Sequence, residues 1–348
     1  MSVPASKTRS PGRTLRAWIW RLSVAYFLLL VLLYLVEAVV AERWWVALLL
    51  TYVSQRPLVY PLCMLLLASL VTRGWRAVGV NVLGAALVLF GFLGFALPHV
   101  SRPTPQGQVV RVMTLNAAYF HRMRAQDLSQ LAARYQLDLI CLQEASPMRY
   151  GSLAHDVLHG LPGWRVMIEG QLAVLSRYPL KDWAARTYSS GGRTALALQL
   201  DADGTRLTVI TTHFSTAYPP NGLRQDWRAL AEYLDSVSAA REDEVRELLA
   251  FAKDQEGPVL IAGDFNTPPR GRVYRELTSH YRDAFPAVGR GAGYTFISSR
   301  PRYRIDYFFT GPGLIPVTCR ALPLHLSDHL PVVGEFVVTG KAARRPPS

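Results

Sequence analysis

The polar residues best suited to chemistry lie at the ends of six short apolar segments of the chain. In chain order they are Asn116, Glu144, His213, Asp264 with Asn266, Asp306, and the adjacent pair Asp328 and His329. A single Asp or Asn after a strand is usually a turn former or a helix cap. Six positions that all carry carboxylate, carboxamide or imidazole groups instead indicate a ligand site, because ligands bind at strand ends in α/β sheets.

These residue types suit hydrolysis of a phosphate ester assisted by a hard divalent cation. Carboxylate and carboxamide oxygens, without a Cys, are the ligands that Mg²⁺ or Mn²⁺ prefers. Two His with acids nearby can orient a water, neutralise charge and protonate a leaving group. The chain has no helical HExxH pattern, no Walker loop and no GxSxG elbow. The sequence therefore gives no support for a zinc protease, nucleotide-driven chemistry or serine hydrolysis.

Composition argues against a disordered chain and against a wholly soluble one. Of 348 residues only 18% are charged, and the mean hydropathy is +0.13, whereas soluble domains carry about a quarter charged residues. The net charge of +13 divides into +7 for residues 1–100 and +6 for the remainder. The charge alone is therefore no signal for nucleic acid. Three isolated Cys form no disulfide framework, so the compartment must be inferred from the N-terminal part.

The first 100 residues contain apolar runs long enough to cross a membrane. Leu22–Ala41 is a run of 20 residues whose one charge is Glu37, and at about 1.5 Å per residue it spans a bilayer core. Ala77–Leu97 is a second run, without charge. Between them, Pro57–Val71 is barely long enough for a further span and follows a Trp-bearing interfacial segment. The sequence predicts about three transmembrane helices.

Basic residues flank these runs asymmetrically. Five precede the first span and two separate the second span from the third: Lys7, Arg9, Arg13, Arg16, Arg21, Arg73 and Arg76. Because Lys and Arg favour the cytoplasmic side, both clusters predict an extracytoplasmic C-terminal part. We expect a multi-pass protein of the bacterial inner membrane. A cleaved signal peptide is the alternative, disfavoured because the first run is long for a signal core and further apolar segments follow.

Strand patterns then alternate with helix patterns, which predicts a mixed α/β domain. The predicted strands are Val109–Asn116, Asp138–Gln143, Leu172–Leu175, Ala195–Leu200, Leu207–Thr212, Val259–Ala262, Ile305–Phe309 and Val332–Val338. The predicted helices are Asp127–Tyr135 and the amphipathic stretch Leu223–Lys253. The expected domains are a membrane anchor over residues 1–100, a linker over 101–108, a catalytic domain over 109–340 and a basic, Pro-rich tail over 341–348.

Six sequence blocks resemble, in order, the signature blocks of the endonuclease/exonuclease/phosphatase superfamily: TLNAAYF, LICLQEA, TVITTHFST, IAGDFNTPP, RIDYFF and LSDHLPVVGEF. That superfamily includes pancreatic-type DNases, AP endonucleases, neutral sphingomyelinases and inositol polyphosphate 5-phosphatases. GDFN followed by SDH at this spacing is specific, whereas QE after an apolar strand is weaker alone. The resemblance covers about residues 109–339. It implies an α/β fold, a four-layer sandwich of two packed mixed β-sheets flanked by helices, with the site at one edge.

The resemblance implies a Mg²⁺ site, with Mn²⁺ as a second candidate ion. Glu144 is similar to the principal metal-ligand carboxylate, and Asn116 is similar to its neighbour in the metal shell. Asp328 resembles a second residue of the metal and water network.

The resemblance also implies catalytic roles. Asp264 is similar to the residue that orients or deprotonates the attacking water, and Asn266 to the carboxamide that holds the phosphate. Asp306 resembles the acid that orients His329, whose imidazole contacts the scissile phosphate. His213 matches the histidine of DNases, sphingomyelinases and 5-phosphatases and departs from the tyrosine-type AP endonuclease pattern.

The function predicted from residues and resemblance is a membrane-anchored, metal-dependent phosphoesterase that hydrolyses a phosphodiester with an activated water. A lipid or envelope phosphodiester is favoured as substrate, because tethering raises effective concentration near the bilayer. Phosphomonoesters stay open as substrates. The alternative of another class is a non-catalytic membrane protein that binds a phosphorylated ligand, which loss of a core site residue would favour. Nothing in the sequence indicates a protein partner.

Extracellular DNA is the alternative substrate. It would require a basic groove, for which six arginines near the site are candidates: Arg270, Arg272, Arg275, Arg300, Arg302 and Arg304. Arg outnumbers Lys 34 to 4 in this chain, so these side chains can equally form an ordinary solvated surface.

Overall fold

The computed structural model describes residues 11–97, 106–146, 154–219 and 225–339. Outside these residues lie most of the predicted linker, the predicted tail over 341–348, the start of the predicted helix Leu223–Lys253, and the basic residues Lys7 and Arg9. The described chain forms an N-terminal helical region, residues 11–97, followed by a β-sheet domain, residues 106–339.

The N-terminal helical region contains four α-helices in the residues described. They are α1 (Pro11–Val39), α2 (Trp45–Tyr52), α3 (Val59–Val71) and α4 (Trp75–Ala86), and α4 continues as a π-helical segment, Leu87–Phe92. Leu30, Leu62, Val88 and Phe92 form its small apolar core. Many other Leu and Trp side chains of these helices are exposed. Apolar side chains on both the inner and the outer faces are typical of helices that lie in a membrane.

Among the described residues, two helices are long and apolar enough to cross a membrane, Gly12–Val39 and Trp75–Phe92. A third span results if Trp45–Tyr52 and Arg56–Val71, which meet at 74°, are counted as one bent span. This count rests on length and composition. The three-span topology and its orientation therefore stay predictions.

Strands dominate the second part of the chain. They are β1 (Gln108–Asn116), β2 (Leu139–Gln143), β3 (Arg165–Glu169), β4 (Leu172–Ser176), β5 (Leu180–Thr187), β6 (Thr194–Ala202), β7 (Thr205–His213), β8 (Val259–Asp264), β9 (Arg282–Asp283), β10 (Asp306–Thr310), β11 (Leu314–Ala321) and β12 (Val332–Val338). The helices include α5 (Ala125–Arg134), α6 (Trp227–Lys253), α7 (Gly271–His280) and α8 (Ala284–Val288), and residues 154–158 are also helical. Asp226 caps α6 by accepting a hydrogen bond from the backbone N–H of Arg228 at 2.9 Å.

The strands form two mixed sheets of six strands each, with the orders β11-β12-β1-β2-β4-β3 and β5-β6-β7-β8-β10-β9. The pairs β1–β2 and β7–β8 are parallel, and the other neighbouring pairs are antiparallel. Each sheet therefore has one parallel pair near its centre, and these two pairs carry most of the predicted site residues.

Side chains alternate between the two faces of each strand. One face of each sheet packs on the other sheet and the opposite face packs on helices, which gives the predicted four layers. In β1, Val110 and Val112 point into the core between the sheets, whereas Met113 and Leu115 pack against α5. The second sheet faces the same central core with one side and packs against α6 and α7 with the other. This alternation has the period of two residues that a strand imposes. The predicted α/β sandwich of two packed mixed sheets flanked by helices is confirmed.

Parts of the helical region contact the β-sheet domain. The predicted interfacial segment forms α2, whose Leu48 is buried against side chains of α6. The predicted span Ala77–Leu97 ends as a helix at Phe92, and Ala96 pairs with Gly291 of the β-sheet domain in a β-bridge. Ala96, which follows the helix, is therefore part of the contact between the helical region and the β-sheet domain.

Candidate active site

Strand register brings the predicted site residues to one edge of the sandwich. Asn116, the last residue of β1, pairs with Gln143 of β2, and Glu144 follows immediately. In the second sheet Asp264 of β8 lies between His213 of β7 and Asp306 of β10. Because β7 and β8 are parallel and β10 starts where they end, three polar side chains meet at one level.

Asp264 is the centre of the cluster. Its side chain is almost fully buried, and its Oδ2 accepts a hydrogen bond from Asn116 Nδ2 at 3.0 Å across the gap between the sheets. Oδ1 accepts one from the backbone N–H of Asn266 at 2.9 Å. Nε2 of His213 lies 3.5 Å and Nε2 of His329 lies 3.8 Å from Oδ2. Burial raises the pKa of Asp264, and Asp306 raises it further against the opposing effect of His329.

Asp306 and His329 form the buried pair that the resemblance implies. Nδ1 of His329 is 2.9 Å from Oδ2 of Asp306, and the aromatic ring of Phe296 lies 4.7 Å from the imidazole, between ring centroids. Burial alone would lower the pKa of His329, but the charges of Asp306 and Asp264 outweigh burial and raise it to about 10. His329 is therefore an imidazolium at neutral pH, with Nε2 directed to the centre of the cluster.

The pKa of His213 is shifted in the opposite direction. Burial, and then the charges of Arg193 and His329, hold the pKa of His213 well below its usual range. Its Nε2 lies 3.1 Å from Nδ2 of Asn266, and its Nδ1 lies 3.2 Å from Nη1 of Arg193 and 3.2 Å from Oε1 of Gln171. The surroundings of the two imidazoles therefore shift their pKa values in opposite directions, down for His213 and up for His329.

Glu144 joins the cluster from the first sheet. It is hydrogen-bonded to Asn116, and burial raises its pKa; its Oε1 lies 3.9 Å from Nε2 of His213. Glu144 has a left-handed backbone, with φ of 49°, which is unfavourable for a residue with a Cβ. This conformation directs the side chain out of the strand line and toward the second sheet.

Asp328 is the predicted site residue that stays at the rim. It is exposed, and within the described part of the chain its carboxylate accepts a hydrogen bond from Ser327 at 3.0 Å and from no member of the cluster. Its charge still acts on the pKa values of Glu144 and His329. The carboxylate is thus near enough for electrostatic influence without direct contact.

The donor set fits a hard divalent cation. Glu144, Asp264, Asp306 and Asp328 are carboxylates, whereas His329 and Arg193 supply the positive charges near them. Ligand atoms of Asp264, Asp306 and His329 lie within 4.8 Å of one another, a set that differs from the predicted metal residues.

Sequence reasoning did not find the residues that support the cluster. Arg193 and Gln171 contact His213, and Gln143 donates to Thr211 Oγ1 at 3.0 Å, linking the two sheets below the site. Arg193 follows Gly191 and Gly192 just before β6, but nothing in that pattern distinguishes it from the other arginines.

Comparison with known proteins identifies the family. Residues 113–329 match the model of the Endonuclease/Exonuclease/phosphatase family, and the chain therefore belongs to this family. The matched segment contains every predicted site residue. Members of this superfamily are hydrolases that act on phosphoesters. No curated protein sequence matches this chain at a comparable level.

Solved structures share the fold at low sequence identity. An endonuclease/exonuclease/phosphatase from Bacteroides vulgatus is 20% identical, with a TM-score of 0.53 over 66% of this chain and 99% of that one. A mannosyl-6-phosphatase of Bacteroides thetaiotaomicron VPI-5482 is 16% identical, with a TM-score of 0.50 over 66% and 99%. D. rerio TDP2 complexed with a single-strand DNA product is 17% identical, with a TM-score of 0.50 over 66% and 98%.

Proposed function

We propose that this protein is a membrane-anchored, divalent-metal-dependent phosphodiesterase. The observation that carries the proposal is the convergence on Asp264 of two imidazoles, His213 at 3.5 Å and His329 at 3.8 Å, whose pKa values are shifted in opposite directions. Hydrolysis of a phosphodiester requires an activated water and positive charge next to the phosphate oxygens, and this arrangement can provide both. The family membership supports the same reaction class.

Glu144 and Asn116 would hold the cation, Mg²⁺ or Mn²⁺. The negative charge of Asp328 would attract the cation from the solvent side without a direct contact. The cation would supply charge neutralisation on the phosphate oxygens. Glu144 and Asp264, which both bind Asn116, are the carboxylates that this positive charge would compensate. Without such compensation, burial disfavours two carboxylates so close together.

The remaining steps belong to the side chains of the chain itself. Asp264 accepts a proton from the attacking water while the water oxygen forms a bond to phosphorus. The bond from phosphorus to the leaving oxygen breaks, and that oxygen takes a proton from solvent. The imidazolium of His329 donates a hydrogen bond from Nε2 to the phosphate. The amide of Asn266 contacts the carbonyl of Phe214 at 2.9 Å and Nε2 of His213 at 3.1 Å, and it would hold the phosphate by exchanging the contact with His213 for one with a phosphate oxygen.

We favour a lipid or envelope phosphodiester as the substrate. The N-terminal helical region contacts the β-sheet domain beside the active site, so an anchored enzyme would meet membrane-borne phosphodiesters at high effective concentration. For DNA, four of the six candidate arginines are engaged with protein groups. Arg270 pairs with Glu37, Arg272 with Glu242 and Arg304 with Asp283, and Arg275 donates to a carbonyl of α1. Their engagement weakens the case for a DNA-binding groove.

The test is a substrate panel on the full-length protein in detergent micelles. The panel comprises a bis-aryl phosphodiester, sphingomyelin, phosphatidylinositides, DNA and a phosphomonoester, each with Mg²⁺, Mn²⁺, Ca²⁺ or EDTA. We expect EDTA-sensitive cleavage of a phosphodiester, lost in Asp264→Asn, which keeps the shape of the side chain. Binding of phosphorylated ligands without turnover would instead support the non-catalytic alternative, and preferential cleavage of DNA would replace the lipid assignment.

A further inference from the structure

The loop after β8 connects the active site to the N-terminal helical region. We call Phe265 to Arg270 the site loop. Its second residue, Asn266, has a left-handed backbone with φ of 46°, a conformation that Asn tolerates better than most residues but that still needs support from its surroundings. The carboxamide of Asn266 contacts His213, with Nδ2 3.1 Å from Nε2, whereas its backbone carbonyl accepts hydrogen bonds from other residues.

Two donors converge on the carbonyl oxygen of Asn266. The hydroxyl of Tyr52, the last residue of α2, donates to it at 2.5 Å, and Nη1 of Arg241 from α6 donates to it at 2.6 Å. The hydroxyl of Tyr52 also lies 3.2 Å from Oγ1 of Thr267. One of the two supports of this strained residue therefore comes from the N-terminal helical region.

Arg241, the second support, also contacts Tyr52. It is fully buried, and it donates to the carbonyls of Ser215 and Asn266, which follow β7 and β8. The ring of Tyr52 lies against its guanidinium, 5.3 Å from ring centroid to Cζ. Tyr52 thus contacts both the carbonyl of Asn266 and the side chain that shares it.

The far end of the site loop is held by the same region. Arg270 forms an ion pair with Glu37 of α1 at 3.1 Å and donates to the carbonyls of Phe92 at 2.7 Å and of Thr51. The side chains of Arg270 and Glu37 are 10% and 4% exposed. A buried ion pair of this kind fixes geometry more than it adds stability. The site loop is therefore bound at both ends by residues outside the β-sheet domain.

We propose that Tyr52 is a positioning residue for catalysis and that the N-terminal helical region completes the active site through it. This inference rests on the proposed function, in which Asn266 holds the phosphate. Among the described residues, loss of the Tyr52 hydroxyl leaves the Asn266 carbonyl with Arg241 as its donor, and the loop can then rotate the carboxamide away from His213. Packing alone does not require the hydroxyl, since Leu48 and Trp45 already contribute the apolar contact between α2 and α6.

The test compares two hydroxyl deletions in the full-length protein. Tyr52→Phe keeps the ring against Arg241 and removes the hydroxyl. Tyr26→Phe is the matched control, because the hydroxyl of Tyr26 donates to the carbonyl of Leu58 at 2.7 Å within the helical region alone. For Tyr52→Phe we expect kcat on the bis-aryl phosphodiester to fall about three- to tenfold, the range of one hydrogen bond, with KM changed less than twofold. Tyr26→Phe should leave kcat unchanged.

A double variant separates positioning from general stability. If Tyr52 acts through Asn266, adding Tyr52→Phe to Asn266→Ala lowers kcat no further. Multiplicative losses, or a kcat for Tyr52→Phe equal to that of Tyr26→Phe, would overturn the inference.

Hydrogen exchange gives a readout that does not depend on activity. Peptides covering the site loop should exchange faster in Tyr52→Phe than in wild type or Tyr26→Phe. Equal exchange in all three overturns the inference. If the wild-type protein is inactive on every phosphodiester yet shows this difference, the proposed function fails and the support of the site loop by Tyr52 stands.

Discussion

Replacing Asp306 by Asn tests the buried pair with His329 most directly, because the substitution removes one charge and keeps the shape. With the pKa of His329 at about 10, the imidazolium is favoured over the neutral ring at pH 7 by about 4 kcal/mol. In Asp306→Asn the largest charge that raises the pKa of His329 is gone, so this pKa falls and the imidazolium is less favoured. The charge-assisted hydrogen bond to the phosphate is weakened accordingly.

The expected rate loss for Asp306→Asn is on the order of a hundredfold in kcat, corresponding to about 2.7 kcal/mol. His329→Ala should cost a similar factor, and the double variant should cost little more than the worse single one, since the two residues act as a unit. Activity on the bis-aryl phosphodiester and thermal unfolding are measured for all three variants.

The pair also makes a pH-dependent contribution to stability. Because the folded pKa of His329 lies above its ordinary value of 6.5, this contribution is full below about pH 6.5 and is lost as the pH rises toward 10. The stability difference between wild type and Asp306→Asn should therefore shrink over this range.

A matched control exists in a second buried pair of the same domain. Asp283 and Arg304 lie 2.6 Å apart, with side chains 4% and 2% exposed. Asp283→Asn should lower the melting temperature by leaving a buried cation unpaired, with near-normal kcat in the folded fraction. Multiplicative rate losses for Asp306→Asn and His329→Ala would refute the pairing. Lowered melting with intact kcat in Asp306→Asn would reduce the pair to a structural role.

Further predictions concern the metal, the strand ends, the interface and the topology. Glu144→Gln should abolish activity at low Mg²⁺ and leave the melting temperature intact; full activity at micromolar Mg²⁺ would remove Glu144 from the site. Gly263 has φ of 151°, and a Cβ there would lie 2.1 Å from the carbonyl oxygen of Thr212, so Gly263→Ala should destabilise the fold by several kcal/mol (about 3 or more); an unchanged melting temperature contradicts this. Glu37→Gln should lower the melting temperature of the detergent-solubilised protein, because it leaves the buried charge of Arg270 uncompensated; equal melting would show the ion pair to be dispensable. A reporter active only in the periplasm, fused after Gly107, should be active, whereas activity of a cytoplasmic reporter at that point would refute the three-span topology.

The strands that could be predicted from the sequence are mostly buried ones, whose apolar residues either alternate with polar residues or form a continuous run. Val332–Val338 agrees with β12 at both ends, and the predicted Val259–Ala262 falls within β8. The strands that were not predicted lack that signal. β5 is exposed along almost its whole length and carries charged residues, and β11 contains Pro316 and a register shift next to it. Edge strands of this kind owe their conformation to the neighbouring strand more than to their own sequence.

The site could be predicted to the level of its central residues and no further. Seven of the eight named side chains are linked in one cluster by the contacts described above, and Asp328 lies at its rim. Tyr52 and Asn266 are 214 positions apart in the sequence, so no local pattern indicates their contact. Arg241 lies within an amphipathic helix, where an arginine is expected to be exposed. Supporting contacts of this kind depend on tertiary packing and leave no periodicity to detect.

The packing of α2 on α6 has a practical consequence for producing the β-sheet domain alone. A fragment that starts at Gln108 would expose Ala217, Leu234 and Val237, which α2 covers in the full chain. It would also leave Arg270 without its carboxylate partner. The truncated protein should aggregate during purification through this exposed apolar patch. Fragments for crystallisation or screening should therefore start upstream of Glu37, which retains both α2 and the partner of Arg270.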